Sequence, residues 1–147
     1  MKSEEMKDTK RLLELCDKGI KMGVSAIDDG LKYAKGAKLR DALLRCKKTH
    51  EALESDFSKL LSNLHLKGKS PSLMTTMMTF VSIRTRLYFN HKDEDIISLM
   101  EKGCQMGIKS LETELIKRQK AKSKSRELCG RLILLERDLL EKLNQLS

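Results

Sequence analysis

The sequence predicts an all-α protein, a four-helix bundle made of two duplicated helical hairpins joined by a long crossover that contains a short helix. Three observations carry that expectation. The composition is rich in Leu, Lys, Glu and Met, with one Pro, no Trp and few β-branched runs, a balance that favours helix throughout. A thirteen-residue phrase, Leu15 to Ile27, returns 84 positions later as Leu99 to Leu111, with Leu, Lys, Gly, Met and Gly unchanged. Four stretches carry apolar residues at steps of three and four, the spacing of one helix face. At 147 residues the chain reads as one domain, with hairpin 1 about 8–66, a crossover about 67–92 and hairpin 2 about 93–147.

The first helix is expected from Leu13, Cys16, Ile20, Val24, Ile27 and Leu31, with Asp17, Lys18, Lys21 and Asp28 on its polar faces. The second follows Leu39, Leu43, Cys46, His50, Leu53, Phe57, Leu61 and Leu64. Its end is expected at His65–Pro71. Ser70 and Pro71 then suit the N-cap and first position of a short crossover helix through Met77, Phe80 and Leu87. The third long helix starts near Asn90–Asp93 and buries Ile97, Met100, Cys104, Ile108, Leu111 and Leu115. The fourth buries Leu128, Leu132, Leu135, Leu139, Leu143 and Leu146.

Gly36 marks the first turn and Lys122–Ser125 the second. A slide of 82 positions places Leu53 and Glu54 on Leu135 and Glu136, which makes the second turn two residues shorter. A connection as long as 65–92 permits the second and third helices to run parallel. The seams are expected to meet with nothing ionic at mid-bundle.

Glycines four apart inside helices, Gly19 with Gly23 and Gly103 with Gly107, each cost about 1 kcal/mol relative to Ala. They are accounted for by close packing of the first and third helices. The alternative is room for a ligand.

Paired hairpins joined by a crossover resemble the ferritin-like superfamily. More narrowly, the chain resembles an uncharacterised bacterial family of ferritin-like proteins classed as a domain of unknown function. The resemblance rests on Lys102–Lys109, its earlier copy Lys18–Val24, and the Met-rich Met74–Met78. It covers about residues 10–146 and implies a fold without implying a reaction.

Di-iron members of that superfamily place a Glu on each of two helices and Glu-x-x-His on the other two. Here the inward stripes carry Ile20, Gly23 and Val24, or Cys104, Gly107 and Ile108. The residue three before His50 is Lys47. No di-iron centre, cofactor or catalytic residue is therefore expected.

His50 is the one metal-ligand candidate, with Glu54 a turn away either as its hydrogen-bonding partner or as a second ligand. Cys16, Cys46, Cys104 and Cys129, one per long helix, do not align for a tetrahedral site and read as small hydrophobes. Without CxxC spacing they also suit a reducing compartment, and the charged start Met1–Glu5 lacks a signal-peptide core. The expected location is cytoplasmic.

The net charge of +9 is uneven. Lys117, Arg118, Lys120, Lys122, Lys124 and Arg126 crowd the second turn, and Lys32, Lys35, Lys38 and Arg40 the first. Such turns suit a solvated surface or nonspecific binding of nucleic acid or anionic lipid. Few aromatics and no recognised motif argue against sequence-specific readout. On the crossover helix, Met74, Met78 and Val81 form a candidate interaction strip for a homodimer.

The leading expectation is a non-enzymatic bundle acting through protein association. Two others stand beside it: a divergent metal-binding or redox protein centred on His50, and an electrostatic binder working through the basic turns.

Overall fold

The computed structural model describes residues 3–66 and 92–147. Within them the chain forms four helices, α1 Ser3–Tyr33, α2 Ala37–Asn63, α3 Asp93–Lys117 and α4 Ser123–Leu146, and no strand. This is the all-α four-helix arrangement expected. The expected crossover helix, with the strip Met74, Met78 and Val81, lies outside the described residues.

α2 closes on a left-handed residue. His65 has φ 57°, its N–H donates to the Ser62 carbonyl at 3.0 Å, and the Leu66 N–H reaches back to Leu61 at 2.8 Å. This double bond satisfies carbonyls that would otherwise be orphaned, and Leu66 packs beside Leu61 to complete the stop.

Hydrogen bonds at the two turns set the helix directions. Asp93, at the start of α3, accepts from Lys35 N at 2.9 Å and Gly36 N at 2.7 Å in the α1–α2 turn. A Cβ on Gly36 would lie 2.8 Å from that carboxylate and would push it aside. At the other end, Thr9 near the start of α1 accepts from Lys122 N at 2.9 Å in the α3–α4 turn. α3 thus begins beside the first turn and runs antiparallel to α1, which makes α2 and α3 parallel.

Each turn is also clamped by an arginine. Arg40 donates to the carbonyls of Leu31 and Ala34 at the end of α1, and Arg126 donates to those of Leu115 and Arg118 at the end of α3. Three residues, 34–36, separate α1 from α2, whereas five, 118–122, separate α3 from α4. The second turn is therefore two residues longer, not shorter. Ser123 and the residues after it belong to α4. Positions 86 apart in α2 and α4, Leu39 and Ser125, Leu43 and Cys129, Leu53 and Leu139, Phe57 and Leu143, are all buried.

The core is two apolar clusters stacked along the bundle. The one at the second-turn end joins Leu12, Leu13, Phe57, Leu111, Leu128 and Leu132. The one at the first-turn end joins Ile27, Leu43, Ile96, Met100, Leu139 and Leu143. Between them sits a polar waist. The seam is not free of charge at its middle.

Candidate functional site

His50 lies halfway along α2, between Leu43 of one cluster and Leu53 of the other, and is wholly buried. Its Nε2 stands 2.8 Å from Glu136 Oε1 on α4. Its Nδ1 stands 2.9 Å from the Cys46 carbonyl one turn earlier and 3.2 Å from the Cys46 sulfur. The 3.6-residue period of α2 places Cys46 and His50 on the same face, and α4 brings the carboxylate to that face from across the bundle.

Both ring nitrogens face oxygen acceptors, so the ring carries both protons and stands as imidazolium against a carboxylate. Burial alone would drive the ring toward its neutral form. The hydrogen bonds to Cys46 and Glu136 overturn that and raise its pKa to about 10.

α1 supplies space for this pair. A Cβ on Gly23 would lie 3.2 Å from the imidazole Cδ2, 3.3 Å from Nε2 and 3.8 Å from Glu136 Oε1. Gly19 faces Leu132 in ordinary contact distance. In α3, by contrast, nothing among the described residues comes within 4 Å of a Cβ built on Gly103 or Gly107. The expected close packing of the first helix on the third is not what these glycines serve: Gly23 gives room to His50 of α2 and Glu136 of α4, Gly19 is in ordinary contact with α4, and Gly103 and Gly107 approach nothing among the described residues.

α3 contributes Cys104, buried beside Glu136. Burial, and then the neighbouring carboxylate, push its thiol well above the ordinary range. Cys46 is only partly buried. The other two cysteines meet elsewhere. Cys16 and Cys129 touch inside the second-turn cluster, where the hydrogen bond between them and burial hold Cys16 as the neutral thiol. The four cysteines thus fall at two heights of the bundle.

Several expectations need correcting here. The partner of His50 is Glu136 rather than Glu54. Glu54 lies on a surface concavity with Lys21, Asp28 and Lys32. Among the described residues no group of three or more His, Cys, Asp or Glu side chains is disposed to hold a metal ion. Both ring nitrogens of His50 are committed to acceptors, which leaves no lone pair to coordinate one. Asp17, expected on a polar face, is buried and accepts from Lys21 at 3.0 Å.

Part of the basic second turn is paired with acids. Arg118 pairs with Glu114 at 3.0 Å and Asp8 at 3.5 Å, Lys120 with Glu4, and Lys124 with Glu127 at 3.5 Å. Arg126 is spent on backbone carbonyls. Lys117 and Lys122 complete the six. Lys122 donates its backbone N–H to Thr9.

Large apolar side chains exposed among the described residues are Leu44, Met106, Ile116 and Leu134. No described helix is long and apolar enough to cross a membrane. No protein-family model, curated protein or solved structure matches the chain.

Proposed function

We propose that this chain is a ferritin-like bundle, two copies of one hairpin joined by a crossover, that works as a thiol redox protein centred on His50 and lacks a di-iron centre. The parallel α2 and α3, the paired arginine clamps and the burial match at 84 and 86 positions support the duplicated, ferritin-like reading. The observation that carries the functional reading is the waist itself. One buried imidazolium stands between the Cys46 thiol and the Glu136 carboxylate, and the Cys104 thiol lies against that carboxylate. A thiol, a proton-holding imidazole and an orienting acid, in that order, are the parts of an activated sulfur nucleophile.

The test is a thiol count on the folded chain before and after mild oxidation, with elemental analysis of the same sample. At least one thiol should be lost to oxidation and recovered with dithiothreitol, without stoichiometric iron. Retention of all four thiols contradicts the proposal, as does iron bound in a His50-dependent way.

A second reading, association into a homodimer without chemistry, is favoured by Met106 and Ile116, which stand more than two-thirds exposed on α3. Light scattering at high concentration tests it. A strictly monomeric mass removes it.

A further inference from the structure

We propose that Cys46 is the reacting thiol of this centre, a site at which a small peroxide oxidises the sulfur to a sulfenic acid while His50 supplies the proton to the departing oxygen. This rests on the redox reading above and selects one cysteine of four. Access distinguishes them first. Cys46 is partly exposed, whereas Cys16, Cys104 and Cys129 are buried. Proton partnership distinguishes them second. Cys46 alone has an imidazole nitrogen at hydrogen-bonding distance, 3.2 Å from its sulfur. Cys104 has a carboxylate beside it, which opposes loss of its proton, and Cys16 and Cys129 share a hydrogen bond that, with Arg126, lowers Cys129 and raises Cys16, but both are buried in the second-turn cluster.

The peroxide class follows from size. His50 is sealed from solvent and Cys46 is only partly exposed, so the reagent has to be small enough to approach the sulfur and the Nδ1 beside it without displacing the ring.

The step balances. The Cys46 thiol first releases its proton to solvent; the thiolate, beside the imidazolium, attacks one oxygen of hydrogen peroxide, the S–O bond forms and the O–O bond breaks. The leaving hydroxide takes the Nδ1 proton of His50 and departs as water, so the products are Cys46 sulfenic acid, water and neutral imidazole. Two electrons pass from sulfur to peroxide. Glu136 does not touch the reacting atoms. It is a positioning residue that holds the ring through Nε2 and keeps the second proton in place.

The experiment treats the reduced full chain with hydrogen peroxide in the presence of a dimedone-type sulfenic acid trap, and maps the label by mass spectrometry over time. Nearly all early label should fall on Cys46. In His50→Gln, whose fold is checked by helical circular dichroism, the rate at Cys46 should drop about a hundredfold, the scale of a lost general acid. Cys46→Ala leaves the His50–Glu136 pair in place and should abolish the peroxide-sensitive thiol while retaining the other three.

Label spread evenly over the four cysteines overturns the assignment. So does label centred on Cys104, or loss of a thiol in Cys46→Ala at the wild-type rate. These outcomes are distinct from failure of the broader redox reading, in which no cysteine of the native chain is labelled at all.

Discussion

Gly23 and Gly107 occupy the same place in the same repeated phrase, yet the molecule uses them in opposite ways. Gly23 leaves the space that the His50 ring fills, whereas nothing among the described residues approaches Gly107. The two hairpins differ most plainly where they meet at the waist. There, positions 86 apart in α2 and α4 carry His50 and Glu136, and these two residues pair with each other. The bundle is polar across its middle through this one pair and the gap at Gly23. The close contact, rather than the glycine itself, marks the position that matters to the waist.

The largest effect should come from breaking the pair. His50→Ala or Glu136→Ala leaves an uncompensated buried charge and should cost about 3–5 kcal/mol in urea unfolding. The double replacement should cost less than the sum of the singles, since the two residues share one interaction. Additive losses would mean that they act apart.

Gly23→Ala comes next. A methyl at 3.2 Å from a ring packed on all sides forces a shift, and a loss of about 1–3 kcal/mol is expected. Its counterpart Gly107→Ala meets nothing among the described residues, so helix propensity alone should act and stabilise by about 0.5–1 kcal/mol. Equal signs for the two substitutions would erase the contrast between the hairpins.

The pH dependence is a further consequence of the same pair. The folded-state pKa of His50 is raised to about 10 from an ordinary value of 6.5. The folded state therefore binds the proton more tightly than the unfolded chain. The stability contributed is fully present below about pH 6.5 and is lost progressively as pH rises through about 10. Glu136 and the thiols of Cys46 and Cys104 face the same waist, so the clean comparison is wild type against His50→Gln. The wild type should lose more denaturant resistance than the variant between pH 7 and pH 10.

The smallest effect is expected away from the waist. His65→Gly relieves the left-handed residue that ends α2 and should stabilise by about 0.5–1 kcal/mol, read as a shift in the thermal midpoint.

The helix seams were legible in the chain because burial forces apolar residues onto one face. Cys16, Ile20 and Ile27 in α1, and Met100, Cys104 and Leu111 in α3, are buried as their spacing requires. The register between α2 and α4 was not. Sliding one helix by four residues, close to a full turn, keeps leucine over leucine, so separations of 82 and 86 look alike in an apolar pattern. Only the arginine clamps, Arg40 and Arg126, separate the two. That ambiguity hid the meeting of His50 with Glu136, because the shorter slide sets Glu136 against Glu54.

The basic second turn was visible as a run of charge. The pairing of Arg118 and Lys120 was not, since Asp8 and Glu4 come from the far end of the sequence. Long-range ion pairs leave no local signature.

The most direct test of this account is the protonation state of His50, read by nitrogen NMR of the imidazole ring across a pH titration of the folded chain. Both ring nitrogens should carry protons at pH 7, with the transition to neutral imidazole near pH 10. A ring that is already neutral at pH 7, or that titrates at its ordinary value, would contradict the buried imidazolium on which the waist and its chemistry depend.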